Sequence, residues 1–205
     1  MTGSSPAARA AVSRSGRAGA GLLVLGLALA CAESRPLGVS DLTNARLSPE
    51  YSQWLVGAAA RMATPQEIDE YLGLRDDSAA KAFIERFWER RDPDPGKAGN
   101  PVHEAFLARA AFADQRFSEA GYLGRRTDRG TIFILYGEPD EAGFAVGEFV
   151  GEPAIEMWQY RPEGRLGLDG KRPHAVYRFA KSRGDLTTFY NPRQRRIRGM
   201  DPGVQ

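Results

Sequence analysis

The feature that most constrains the fold of this chain is an apolar run at residues 131–136, TIFILY, enclosed by two polar segments. The segment before it reads GRRTDRG and the segment after it reads GEPD. Because both faces of an extended TIFILY run would be apolar, the run predicts a central strand covered on both sides. Gly137 and Pro139 end it, since glycine tolerates positive φ and proline fixes φ. We interpret residues 124–140 as a structural hinge between a helical half and a sheet.

Capping signals ahead of this stretch predict four helices. Each predicted start pairs a side chain that can accept from free backbone N–H groups with a following run of apolar residues at helical spacing. Thr64 and Glu67 have the spacing of a capping box. The predicted starts are Ser48, Thr64, Asp77 or Ser78, and Asn100, and the second and fourth helices are predicted to end near Gly73 and at Gly121.

Short alternating segments after the apolar run predict the remaining strands of an antiparallel meander. Glycine is frequent at residues 143–151, which predicts a loop there. The four predicted strands cover residues 131–136, 156–160, 175–180 and 186–190. About four helices packed on about four antiparallel strands define an α+β fold.

The first 31 residues have the pattern of a signal peptide. Three arginines are the only charges before residue 31, and the apolar segment 19–30 is too short to cross a bilayer. The single cysteine of the chain, Cys31, follows Ala-Leu-Ala, and this order resembles a bacterial lipobox. We therefore predict that Cys31 is lipidated. An ordinary secretory signal with an incidental cysteine is the alternative.

The remaining chain divides into three predicted parts. Residues 32–47 have no clear period and predict a tether, residues 48–190 form the α+β domain, and residues 191–205 form a basic, flexible tail. The residue after the cysteine is Ala32 rather than aspartate, which favours the periplasmic side of the outer membrane for the anchored protein.

Composition excludes several classes of function. Beyond residue 31 the chain carries 25 basic and 26 acidic side chains, so no basic face for nucleic acid is expected. One cysteine excludes an internal disulfide and a cysteine-based zinc site. The two histidines, His103 and His174, are far apart and lack metal-ligand spacing. We expect no metal and no cofactor.

Five short motifs together resemble the GWxTD domain of bacterial surface-associated proteins. They are FWxxRDP at 87–93, RF at 116–117, TDRG at 127–130, GxPD at 137–140 and ExWxY at 156–160. The resemblance covers about residues 51–190. The naming motif departs from the pattern, because Arg125 stands where the family has tryptophan and residues 124–128 read GRRTD. The resemblance implies a fold and an envelope location, and it implies no reaction.

We expect a lipid-anchored, non-catalytic module that binds an envelope protein or peptidoglycan. A hydrolase that uses a carboxylate pair, either Glu138 with Asp140 or Asp128 with Glu156, is the alternative, since carboxylate chemistry needs two such groups about 5–9.5 Å apart. A six-residue strand spans roughly 20 Å, which would separate the turns at its two ends. The predicted binding residues are Arg125, Arg126, Thr127, Asp128, Glu138, Asp140 and Trp158.

Overall fold

The computed structural model describes residues 40–146, 153–161, 163, 166–182 and 185–190. Within these residues, five helices precede a four-stranded antiparallel sheet, which confirms the predicted α+β class. No helix of the described part is long and apolar enough to cross a membrane. The helices are α1 (Ala58–Met62), α2 (Pro65–Gly73), α3 (Asp77–Glu89), α4 (Pro101–Phe117) and α5 (Asp128–Tyr136), and the strands are β1 (Glu141–Ala145), β2 (Ile155–Gln159), β3 (Val176–Lys181) and β4 (Thr187–Phe189).

The folded domain includes part of the predicted tether. The sequence predicts a tether over residues 32–47, yet Leu42 and Leu47 are buried in the hydrophobic core. The buried Asn44 donates its side-chain N–H groups to the carbonyl oxygens of Tyr71 and Leu74, at 2.9 and 3.0 Å. Residues 40–47 are therefore part of the domain. The predicted signal segment 1–31 and the predicted tail 191–205 lie outside the described residues.

The helix predicted to start at Ser48 does not form there. Residues 49–57 make a series of turns, and the first helix, α1, begins only at Ala58. The backbone N–H of Ser48 donates to Asp77 at 3.0 Å, which fastens this segment to α3. Gly57, with a φ of 98°, interrupts any helix that would run from the turns into α1.

The other predicted helix starts agree with the structure to within one residue. Thr64 and Glu67 form the predicted capping box of α2, and Asn100 caps α4. The cap of α3 is Asp76, one residue before the predicted position. The predicted end of α4 at Gly121 is wrong, because the helix ends at Phe117 and Gly121 lies in the turn that follows.

The apolar run 131–136 is a helix, not a strand. It belongs to α5, which begins where Thr127 Oγ1 accepts from the N–H of Gly130 at 3.1 Å and ends at Gly137, with a φ of 78°. All six residues of the run are buried. A helix covered on all sides is apolar all round, so its sequence looks like that of a buried strand.

The sheet keeps the predicted number of strands with one strand exchanged. Its order is β1-β2-β3-β4 with antiparallel neighbours, as a meander requires. β1 lies in a segment that the sequence predicts as a glycine-rich loop, and it replaces the run 131–136. The last three predicted strands are confirmed. Trp158 of β2 and Phe179 of β3 are buried and pack edge to face, with ring centroids 5.1 Å apart.

One buried carboxylate joins α2 to the end of α3. Glu67 pairs with Arg90 and Arg91, each at 2.7 Å, and accepts from the backbone N–H of Thr64 at 2.8 Å. Arg91 also donates to the carbonyl oxygens of Phe87 and Met62. Burial alone would raise the pKa of Glu67, but the hydrogen bonds from Arg91, Thr64 and Arg90 outweigh it and lower the pKa from 4.5 to about 2.

We predict that Glu67 gives the domain a stability that falls in acid. Its pKa is lower in the folded chain than in the unfolded chain, so the stabilisation is present above about pH 4.5 and is lost as the pH falls towards 2. The free energy of unfolding attributable to Glu67 should decrease by about 2 kcal/mol between pH 6 and pH 3. Urea denaturation of Glu67→Gln should show a lower stability at pH 6 and a flatter pH dependence.

The matched control is Glu70→Gln. Glu70 pairs with Arg86 at 2.9 Å on the same pair of helices, but both side chains are about half exposed (47% and 48%). An exposed ion pair contributes about 0–1 kcal/mol, so this variant should keep the wild-type pH dependence. Equal pH profiles for the two variants would contradict the assignment to Glu67.

Candidate functional site

The residues of the naming motif lie where three backbone segments touch. Gly124 opens a 3₁₀ turn, Gly124–Arg126, that runs against α4. A Cβ atom on Gly124 would lie 1.8 Å from the carbonyl oxygen of Ala113, and one on Gly130 would lie 1.8 Å from the carbonyl oxygen of Gly124. No side chain fits at either position. Both glycines are therefore required by the close approach of α4, the turn and α5.

Thr127 and Asp128 are engaged in holding this contact. The buried hydroxyl of Thr127 donates to the carbonyl oxygen of Gly124 at 2.8 Å and caps α5. Asp128 accepts from the N–H of Phe189 at 2.7 Å and so fixes β4 to the start of α5. Burial raises the pKa of Asp128, although the hydrogen bond from Phe189 and the charge of Arg61 oppose the rise. Thr127 and Asp128, two of the predicted binding residues, thus form hydrogen bonds within the fold.

Trp158 belongs to a series of hydrogen bonds and ion pairs that links β2 to β4 through the side chain of Arg129. It is 3% exposed, and its Nε1–H donates to Glu156 at 2.8 Å. Arg129 bridges Glu156 and Glu119, at 3.1 and 2.9 Å. Glu119 in turn accepts from both the N–H and the hydroxyl of Thr187, at 2.9 Å each. The motif ExWxY thus contributes a buried tryptophan and a carboxylate that already holds an arginine.

Glu138 and Asp140 lie at the other end of α5. That helix has nine residues, which places them roughly 14 Å from the 3₁₀ turn. Asp140 accepts from the N–H of Arg161 at 2.7 Å, and Glu138 is 70% exposed, with Arg116 at 3.7 Å. The structure therefore does not bring the predicted binding residues into one site. Neither carboxylate pair proposed for a hydrolase lines the cavity that lies beside the 3₁₀ turn.

A cavity of about 300 Å³ opens beside the 3₁₀ turn. Its walls come from five parts of the chain: the turns at residues 50–57, α1 at Ala58, α3, α4 and the 3₁₀ turn itself. Gly57 permits this assembly, since a Cβ atom there would lie 2.5 Å from the carbonyl oxygen of Arg125. The lining residues are Glu50, Tyr51, Gln53, Trp54, Val56, Ala58, Ile84, Trp88, His103, Phe106, Leu107, Arg125 and Arg126.

Aromatic side chains form most of one wall. Trp88 stacks on His103, with ring centroids 4.3 Å apart and an interplanar angle of 14°, and contacts Phe106 at 4.9 Å. Trp54 stands edge to face on Phe87 at 4.9 Å. Burial lowers the pKa of His103, although the charge of Glu104 opposes this, so the imidazole is neutral at pH 7. This part of the lining is aromatic, and its rings are tilted to one another except for the stacked pair Trp88 and His103.

Two arginines of the 3₁₀ turn also line the cavity. Arg125 donates through Nε and Nη2 to Asp114 of α4, at 2.7 and 2.6 Å, so its charge is already paired. Arg126 donates to the amide oxygen of Gln53. Among the described residues, no carboxylate forms an ion pair with Arg126, which leaves a guanidinium with a neutral partner beside an apolar wall.

The lining is mostly aromatic and apolar. It contains no cysteine or serine to act as a nucleophile, and its single carboxylate, Glu50, is exposed at the rim. In the described part of the chain, no three His, Asp, Glu or Cys side chains are grouped so as to hold a metal ion. Cavities lined by aromatic groups with a few polar ones bind small molecules or side chains in many proteins.

In this α+β fold, the motif residues Thr127, Asp128 and Glu67-bound Arg91 form contacts that hold the elements of the domain together. The family model of the GWxTD domain matches residues 45–187, and the chain belongs to this family. No curated protein and no solved structure matches it. Of the family's naming motif, this chain keeps the residues that build the fold and replaces the tryptophan with Arg125.

Two of the thirteen residues that line this cavity were named as binding residues from the sequence. The sequence predicted Arg125 and Arg126, and both line the cavity. It did not single out Trp54, Trp88 or Phe106 as binding residues, because apolar residues at helical spacing indicate a core face. No signal in the sequence separates them from core residues, and Trp88 is indeed 5% exposed.

We predict that Gly124→Ala destabilises the domain by about 2 kcal/mol or more, because the new methyl group would overlap the backbone of α4. Gly143→Ala is the control, since a Cβ atom on Gly143 of the exposed strand β1 meets nothing within 4 Å. Thermal unfolding should show a large drop in Tm for Gly124→Ala and little change for the control. Similar Tm values would show that the backbones can separate without cost.

Proposed function

We propose that the protein is a lipid-anchored module of the bacterial cell envelope that binds a protein or cell-wall partner through the cavity beside the 3₁₀ turn. The anchor is a lipid on Cys31, and the location is the periplasmic side of the outer membrane. The module is non-catalytic. The cavity at Arg125 and Arg126 is the observation that carries the binding role.

The different contacts of the motif residues support a binding role. Thr127, Asp128 and Trp158 have their polar groups satisfied within the frame. Arg125 and Arg126, by contrast, are placed in the cavity wall by the same turn. The buried motif residues hold Arg125 and Arg126 in place beside the aromatic cavity. Such a preformed site is suited to binding, because it needs no rearrangement when the partner binds.

The sequence of the first 31 residues supports the anchor. The sole cysteine follows an apolar segment at the position that a lipobox requires. Lipidation of this kind adds several acyl chains to one residue, and more than one chain is needed for stable membrane attachment. A module held in this way acts within reach of the membrane surface, and its partner is expected there.

The anchor is tested by Cys31→Ala. We predict that the wild-type chain fractionates with outer membranes and resists extraction by salt, whereas Cys31→Ala appears in the soluble fraction. The matched control is Ser40→Ala, a conservative change at the start of the described domain. If Cys31→Ala stays with the membranes, the lipid anchor is wrong.

The binding role is tested by a photo-crosslinking residue at Leu107, which is 50% exposed on the cavity wall. We predict a discrete adduct with a protein or with cell-wall fragments in intact cells. The control places the same residue at Val176, which is 40% exposed on β3 and does not line the cavity. Equal adducts from both positions would indicate random contact and contradict the assignment of the site.

A further inference from the structure

The cavity has the size of a single ring system. Ligand pockets measure about 300–1,000 Å³, so this cavity of about 300 Å³ is at the small end. The naming motif of the family carries tryptophan at the position of Arg125, in the cavity wall. An indole attached there would add a further aromatic group to the lining. Arginine instead extends to Asp114 and leaves the cavity open.

The walls select the shape of an occupant. Trp54 and Phe106 are partly exposed aromatic residues of the lining, Trp88 lies almost fully buried against His103, and Ile84 and Leu107 add aliphatic surface. Aromatic rings stack on one another with centroids about 4.5–7 Å apart, and such pairs stabilise beyond the area that they bury. A flat apolar ring therefore matches this cavity better than a sugar, whose hydroxyl groups would face carbon atoms.

The charged residues of the lining determine which polar group a bound ligand can carry. Arg126 has the neutral Gln53 as its hydrogen-bond partner, whereas Arg125 is paired with Asp114. A guanidinium binds a carboxylate through parallel N–H donors, and such bonds are stronger than those to neutral acceptors. Glu50, the one acid of the lining, is exposed at the rim and so disfavours a second negative charge on the occupant.

We propose that the cavity binds an aromatic monocarboxylate, with the ring between the side chains of α3 and α4 and the carboxylate on Arg126. This inference deepens the proposed binding function and names the group that the site recognises. The ring takes the space that the tryptophan of the family motif would fill. Replacement of tryptophan by Arg125 thus converts a filled wall into a ligand site.

Indole-3-acetate is the probe, and indole-3-acetamide is its neutral counterpart. Binding to the purified full-length chain in detergent is measured by calorimetry and by ligand-observed NMR. At the efficiency of drug-sized ligands, the acid should bind with a Kd of about 1 mM or tighter. The amide should bind about tenfold more weakly, since it lacks the charge-assisted bond to Arg126.

Variants separate the ring site from the charge site. Arg126→Ala should weaken binding of the acid about tenfold and leave binding of the amide almost unchanged. Arg125→Trp should abolish binding of both. If Arg125→Trp fails to fold, Leu107→Trp fills the same cavity from an exposed position of α4. Arg116→Ala removes an exposed arginine of α4 outside the cavity and should change neither affinity.

Equal affinity for the acid and the amide would overturn the proposal, and so would unchanged binding by a folded Arg125→Trp or Leu107→Trp chain. An equal effect of Arg126→Ala and Arg116→Ala would show non-specific attraction of an anion and would overturn it too. Such a failure would leave the results with Cys31→Ala and the crosslinks at residue 107 untouched. Failure of the ligand and failure of the proposed function are therefore distinguishable.

Discussion

The backbone contact between α4, the 3₁₀ turn and α5 is the constraint on which the rest of this structure depends. Gly124 and Gly130 allow carbonyl oxygens to approach where any side chain would overlap them. The contact fixes the start of α5, whose six buried residues 131–136 fill the space between the other helices and the sheet. It also fixes the direction in which residues 125 and 126 leave the turn. The position of the cavity wall is therefore a consequence of two glycines.

Two networks of largely buried charged residues join elements of this domain. Glu67 ties α2 to the end of α3, and Arg129 ties the start of α5 to the sheet through Glu119 and Glu156. A buried charge needs a partner, because leaving it unpaired costs several kcal/mol. Each motif that contains such a residue is thus accounted for by the fold.

Features that depend on neighbouring residues, such as the starts of α2 and α4, were predicted correctly from the sequence. Features that depend on the tertiary environment, such as the structure of residues 131–136, were not. Thr64 and Asn100 were correct helix starts, because a capping side chain acts on the N–H groups next to it. The run 131–136 was wrong as a strand, since burial on all sides removes the periodicity that separates strand from helix. The cavity combines Trp54 with Trp88, and no local signal brings together side chains from separate elements.

The motif residues have two different roles. Thr127 and Asp128 bind backbone groups of the fold, whereas the side chain of Arg125 lines the cavity. A change at Thr127 or Asp128 would therefore alter the fold first. The backbone N–H of Arg125 is also bound, to Asp114 at 2.8 Å, but its side chain ends at the cavity wall. A change from tryptophan to arginine there alters the shape and charge of the cavity and leaves the backbone contacts in place. The chain therefore keeps the backbone contacts of the motif although arginine replaces the tryptophan.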